Sequence, residues 1–360
     1  MNRPRINVTK CFLPPKEEYE VILDRVWETN WLTNRGHLVE ELEVKLKEFL
    51  SVDYLTLMTN GTLPIQIAIK AFDLKGEIIT TPFSYVATTS TIVWEGCKPV
   101  FVDIHPEYLT IDETKIEAAI TDQTSAILAT HVYGNPCHVE EIERIAKKHN
   151  LKVIYDAAHC FGINYKGKSI FSYGDVSTCS FHATKIFHTG EGGCIISNDE
   201  KLQEDLFNYH NFGHKDNEDF HGIGINAKMT ELQAAMGLAV FNYLDEIKQE
   251  RENLVNNYRS LLSSKAISYF KLREHTDWNY HYFPILFTSE ETLLKAQKKM
   301  NAHNIHPRRY FYPSLHNLPY IDEEFDCPVS EDISKRILCL PLYVGLTSEE
   351  QELITSLIHE

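Results

Sequence analysis

Three short stretches of this 360-residue chain hold residues able to do chemistry. In the first, Ser180-Phe181-His182-Ala183-Thr184-Lys185 runs into Gly190-Glu191-Gly192-Gly193. The lysine follows a segment of strand character over 176–181, and a glycine-rich turn leads on to an apolar strand over 194–197. Short apolar strands of this kind are interior. An ammonium beside them is costly to desolvate, and desolvation lowers its pKa until the amine is a nucleophile able to form a Schiff base. The second stretch is an apolar strand over 152–155 that ends in Asp156-Ala157-Ala158-His159. In an open α/β sheet the carboxyl ends of strands face the ligand crevice, and two alanines there let a flat ring approach. The third stretch, Thr59-Asn60-Gly61-Thr62, precedes a helical run over 63–72. Gly61 and Thr62 then offer free N–H groups and the positive end of a helix dipole to an anion. Lys185 by itself reads equally well as a surface lysine. Together, a Schiff-base lysine, an acid for a pyridinium nitrogen and a phosphate cradle are what pyridoxal phosphate (PLP) requires of a protein.

The elements that must position these groups follow in order. The sequence predicts a strand over 77–81 closed by Pro82, a helix over 86–95, a strand over 99–103, a helix over 112–119 capped by Asp112, a strand over 125–132 and a helix over 139–149. Alternation of this kind gives a mostly parallel, doubly wound sheet. An alanine-rich helix over 230–243 is capped by Thr230 with Glu231, or by Asn226 upstream. From about residue 246 a charged helix leads into a smaller α+β region with a strand expected over 278–286. The expected division is a large domain, 1–246, and a small C-terminal domain, 247–360. Pro307-Arg308-Arg309-Tyr310-Phe311-Tyr312-Pro313 is basic and aromatic in a chain of net charge −16. It suits a nucleotide diphosphate, arginine pairing the phosphates and an aromatic stacking on the base, and it suits a solvated turn equally.

The acidic balance argues against nucleic acid as a partner. Eight cysteines without a C-x-x-C pair indicate neither a zinc knuckle nor a redox couple, and they fit a reducing compartment. The histidines at 188, 210, 214 and 221 lack tight ligand spacing, so no metal is expected. No run reaches membrane-spanning length and residues 1–10 carry no apolar signal region. The expectation is a cytoplasmic protein without membrane attachment.

The order N-G-T, T-P-F-S-Y-V-A-T, D-A-A-H and S-F-H-A-T-K…G-E-G-G resembles the DegT/StrS-type sugar-nucleotide aminotransferases. The resemblance runs from Trp31-Leu32-Thr33 to Leu340-Pro341-Leu342-Tyr343. It implies a PLP enzyme of aspartate aminotransferase-like fold (fold type I), and a homodimer with the active site at the subunit interface. Glutamate is the implied amino donor and a nucleotide-linked keto sugar the acceptor. By the resemblance, Lys185 carries PLP and moves the proton, and Asp156 serves the ring nitrogen. His159 serves the ring hydroxyl, and Tyr85 lies flat on the ring. Ser180, with Gly61 and Thr62, holds the phosphate, helped by Asn226 from the partner subunit. Thr33 and Arg35 lie at the site's mouth, Arg35 meeting a substrate phosphate, and His182 faces the pocket. Lys228 stands where the family usually has arginine; lysine keeps the charge but not the fork. The S-F-H-x-x-K and D-A-A-H variants look more like members that aminate C4 of dTDP-4-keto-6-deoxyglucose, giving the 4-amino-4,6-dideoxy sugar; surface polysaccharides such as O-antigen, or alternatively secondary metabolites, are the destinations such sugars suit. The alternatives are C3 amination of a dTDP-linked 3-keto sugar, a UDP-linked 4-keto substrate, or a non-catalytic sensor on the same fold. A dehydratase would carry histidine in place of Lys185.

Overall fold

The computed structural model describes residues 4–216, 218–262 and 267–359. Seven strands make the central sheet: β1 (Tyr54–Met58), β2 (Glu77–Thr80), β3 (Lys98–Phe101), β4 (Thr124–Thr130), β5 (Lys152–Asp156), β6 (Val176–Ser180) and β7 (Gly193–Ser197). Their spatial order is β1-β7-β6-β5-β4-β2-β3. β2, β3, β4, β5 and β6 pair in parallel, and β7 runs antiparallel to both β6 and β1. β1 therefore points the same way as the parallel set. All six of these strands deliver their carboxyl ends to one edge of the sheet, the edge where such sheets bind ligands.

The period-two alternation of the strands separates two cores. Ile79, Ile127, Ala129, Val153 and Tyr155 enter one cluster, while Ile78, Ala126, Leu128 and Ile154 enter the other. A sheet buried on both faces requires helices on both, and the sequence supplies amphipathic ones. In the helix Val139–His149, Val139, Ile142, Ile145 and Ala146 are buried while acidic residues fill the first turn and basic ones the last. Asp112 does accept from the Thr114 N–H, capping a short helix, Glu113–Ile116. The helix Glu231–Phe241 is capped by a reciprocal box between Thr230 and Gln233 rather than Glu231. Glu231 acts on a different helix. Its two oxygens accept from the Leu38 and Val39 N–H groups, at 2.8 and 3.1 Å, and so cap the helix His37–Leu50.

The helix Leu244–Leu261 carries the chain to a three-stranded antiparallel sheet, β8 (Ile267–Ser268), β9 (Phe283–Phe287) and β10 (Ile337–Leu340), flanked by Glu290–Ala302, Pro328–Arg336 and Ser348–His359. The first residues of the chain join this region, because Ile6–Asn7 pairs in parallel with Ile305–His306. The strand expected over 278–286 begins only at Phe283. Tyr280 has φ 55°, which ends an extended run, and Trp278 turns its indole N–H to the Tyr133 carbonyl. Tyr282 is thereby freed from the sheet and reaches the cavity described next. Among the described residues, no helix is long and apolar enough to cross a membrane.

Candidate active site

At the carboxyl edge of the sheet lies a cavity of about 240 Å³. Most of its walls come from the ends of strands and the loops that follow them. Asp156 ends β5, Thr130 ends β4 and Ser180 ends β6, with Thr130 and Asp156 opposite each other in register. Asn60, Gly61 and Thr62 follow β1, and Ser84 and Tyr85 follow β2. Lys185 and Glu191 come from the loop between β6 and β7, which the Phe181, Ala183 and Thr189 N–H groups tie into a hairpin-like turn. Tyr282, Arg308, Tyr310 and Phe311 close the cavity from the C-terminal region.

Lys185 is partly buried, its Nζ 5.8 Å from the centre of the Tyr282 ring. Burial lowers its pKa to about 8, against the pull of Asp156. The Asp156 carboxyl is buried, and burial pushes its pKa up. Three things oppose that: the Thr88 hydroxyl donating to Oδ2 at 2.6 Å, the Ala158 N–H donating to Oδ1 at 3.1 Å, and the Lys185 charge. His159 is also buried. Burial, then the Lys185 charge, hold its pKa well below the ordinary histidine value, so the ring is neutral. Its Nδ1 accepts from the Tyr133 N–H at 3.1 Å, which leaves the ring proton on Nε2. The sequence therefore has His159 present a donor, fixed by a backbone contact 26 residues away.

The turn before the helix Leu63–Ala71 differs in one respect from the expectation. The Thr62 N–H is not free; with the Leu63 N–H it donates to Asn60 Oδ1, each at 2.9 Å. Asn60 thus caps this helix and is a site residue that sequence reasoning passed over, although Asn before Gly-Thr is an ordinary capping signal. The Gly61 N–H takes no partner among the described residues. A Cβ on Gly61 would stand 2.7 Å from the Ser180 Cβ, so only glycine permits this turn to lie against the end of β6. The close approach sets Gly61, Thr62, Ser180 and the start of a helix side by side in the cavity lining. That cradle, with an amine of lowered pKa, a buried carboxylate and an imidazole N–H around the remaining space, fits PLP.

Gly61, Thr62, Tyr85, Asp156, His159, Ser180, His182, Lys185, Arg308 and Tyr310 all line this one cavity. Five other expected residues do not. The Arg35 guanidinium is held by Glu40 and Glu43, three contacts of 2.9–3.0 Å, where it compensates the buried Glu43 carboxylate. Thr33 is exposed in the same loop. Arg309 lies on the opposite side of its segment from Arg308. It reaches Glu290 at 2.6 Å and the Lys335 carbonyl at 2.8 Å, while Arg308 stacks 4.5 Å over the Tyr310 ring. Alternation along an extended segment separates the two arginines. Lys228 donates to Asn211 Oδ1 at 2.9 Å and covers the Phe212 ring, and Asn226 is exposed beside it. Tyr282 and Glu191, lining residues that the sequence reading did not single out, come from a misread strand and from within the G-E-G-G turn.

The sequence matches the DegT/DnrJ/EryC1/StrS aminotransferase family over residues 15–359. It is 42% identical to the dTDP-4-amino-4,6-dideoxy-D-glucose transaminase of Shigella dysenteriae, over the whole of both chains. It is 40% identical to the protein of the same name from Escherichia coli, over 99% of each. Among solved structures, DesI in the presence of its TDP-sugar product superposes with a TM-score of 0.94 at 29% identity, covering 99% of this chain and 92% of the other.

Proposed function

The chain belongs to the DegT/DnrJ/EryC1/StrS aminotransferase family, PLP-dependent enzymes that act on sugars, and we propose that it transfers an amino group from glutamate to C4 of dTDP-4-keto-6-deoxyglucose, giving dTDP-4-amino-4,6-dideoxyglucose. The observation that carries this reading is the end-to-end identity with two transaminases named for that product, 42% and 40%. The cavity supplies the machinery the reaction needs.

PLP, when bound, supplies an aldehyde that carries the amino group and a cationic ring that withdraws electrons from the reacting carbon. The chain's residues do the rest. The Gly61 N–H and the hydroxyls of Thr62 and Ser180 bind the phosphate. Asp156 holds a proton on the ring nitrogen, and His159 Nε2–H donates to the ring hydroxyl oxygen. Tyr85, half exposed at the cavity mouth, covers the ring face and excludes water. Lys185 Nζ holds the cofactor and, once released, takes a proton from the donor α-carbon and returns it at the cofactor carbon. With a pKa of about 8, roughly a tenth of such amines are neutral at pH 7. Arg308 and Tyr310, at the C-terminal side, meet the nucleotide diphosphate.

The active enzyme is a homodimer. Within residues 211–225, Phe212, Phe220, Ile223 and Ile225 are all exposed, Ile223 by 73%. Large apolar side chains gathered in one loop are suited to a partner, and this loop leads directly to Asn226, which is exposed and does not line the cavity of its own chain. Seven buried free thiols accord with a reducing cytoplasm.

Half-reactions test the proposal. Glutamate alone bleaches the visible absorbance of the PLP-loaded enzyme, and dTDP-4-keto-6-deoxyglucose alone restores it. Restoration by 2-oxoglutarate but by no keto sugar nucleotide would contradict the acceptor assignment.

A further inference from the structure

Asp156 stands at the end of a chain of three hydroxyls. Thr130 Oγ1 donates to Ser84 Oγ at 3.0 Å, Ser84 Oγ lies 2.7 Å from Thr88 Oγ1, and Thr88 Oγ1 donates to Asp156 Oδ2 at 2.6 Å. Thr130, Ser84 and Thr88 are buried, none more than 2% exposed. They come from three places: the end of β4, the turn after β2 and the first turn of the helix Val86–Trp94. A hydroxyl owns one proton. Because Thr88 spends its proton on the carboxylate, its oxygen must accept from Ser84, and Ser84 must accept from Thr130. The order of donors is fixed from end to end, and every O–H dipole presents its positive end toward Asp156. Aligned donors polarise one another in a low-dielectric interior. A protonated carboxyl at Oδ2 would clash with this order and force the chain to reverse.

We propose that Thr88, Ser84 and Thr130 form a positioning chain that keeps Asp156 ionised and so keeps the proton on the ring nitrogen of bound PLP. The proposal rests on Asp156 being the partner of that nitrogen. The proton lies between two bases, the ring nitrogen and the carboxylate. Removing donors from Oδ2 leaves the carboxylate the stronger base, so the proton shifts from nitrogen to oxygen and the ring withdraws electrons less. Charge on the other side of the pair does not do this work alone. Lys185, the charged group acting on Asp156, is occupied when PLP is bound.

The direct readout is the nuclear magnetic resonance shift of the ring nitrogen in enzyme loaded with isotope-labelled PLP. Thr88→Val should move the resonance toward that of an unprotonated pyridine, by about tenfold in the ratio of protonated to free nitrogen, as expected for a hydrogen bond to a charged group. Ser84→Ala, which leaves the carboxylate's own contacts intact, should move it less, and Thr130→Val less again. Thr88→Ser, which restores the hydroxyl, should return the parent resonance. Packing changes alone would alter melting temperature without this graded shift. If Thr88→Val does not fold, Ser84→Ala carries the test. Asp156→Asn separates the two claims. If it moves the resonance while Ser84→Ala and Thr88→Val do not, the chain is inert and only this inference fails. If Asp156→Asn leaves the resonance unchanged, the assignment of Asp156 fails, and the chain with it.

Discussion

Lys185 shows how one residue acquires its chemistry from its surroundings. An exposed lysine is almost wholly protonated at neutral pH; burial beside the ends of β5 and β6 brings this one to about 8. The neutral amine is the reactive form, and its fraction rises with pH. Capture of PLP by the cofactor-free enzyme should therefore accelerate as pH rises through about 8 and then level off. Stopped-flow absorbance checks this, and a rate still climbing through the ordinary lysine range would show that the amine is not desolvated. The two neighbouring arginines divide in the same way. Arg308 lines the cavity, while Arg309 is tied to Glu290 and two carbonyls. Arg308→Ala should raise the KM for the nucleotide sugar about tenfold or more with folding intact. Arg309→Ala should leave KM alone and cost about 1–3 kcal/mol of stability by urea unfolding. The opposite pattern would reverse their roles.

At the scale of elements, the site depends on contacts between segments far apart in sequence. Glu231 is 2% exposed and caps a helix some 190 residues before it. Glu231→Ala leaves two helix N–H groups unmet in a buried place and should cost about 2–3 kcal/mol, measured by thermal or urea unfolding; a loss below half a kcal/mol would mean water replaces the cap. Distance in sequence also explains what could be read in advance. Lys185, Asp156 and Gly61 were legible because each sits in its own local pattern, at the end of an apolar strand or the start of a helix, and strand ends converge on one edge of a parallel sheet. Arg35 pairs with Glu40 and Glu43, five and eight residues on, a local pattern the expectation did not use, whereas Arg309 lies outside the cavity because its partner, Glu290, is brought to it by folding and carries no mark in the sequence. The hydroxyl chain was invisible for the same reason: Ser84 and Thr88 share a four-residue spacing, but only the sheet brings Thr130 and Asp156 alongside. Tyr282 was hidden in an apparent strand that a single left-handed residue, Tyr280, interrupts.

At the scale of the molecule, most of the cavity comes from one side, the sheet edge with its loops, and the rest from the C-terminal region, which brings Arg308, Tyr310 and Tyr282. The sheet side holds the groups suited to PLP, and the C-terminal side those suited to the nucleotide. In the proposed homodimer, the loop before Asn226 is the surface that meets the second subunit. Ile223→Asp, at a position exposed by 73%, should favour the monomer in analytical ultracentrifugation and weaken PLP binding at least tenfold, since Asn226 then lacks a neighbour to serve. A variant that stays dimeric with unchanged affinity would place the interface elsewhere.

The central claim is amination at C4 of a dTDP-linked sugar, and the nuclear magnetic resonance spectrum of the product tests it most directly. Incubating enzyme, PLP, glutamate and dTDP-4-keto-6-deoxyglucose should give a single new sugar with an equatorial amine at C4. An axial amine would keep the carbon and change the sugar to the galacto series. An amine at C3, or no turnover while glutamate still bleaches the cofactor, would contradict the claim and leave an aminotransferase with another acceptor.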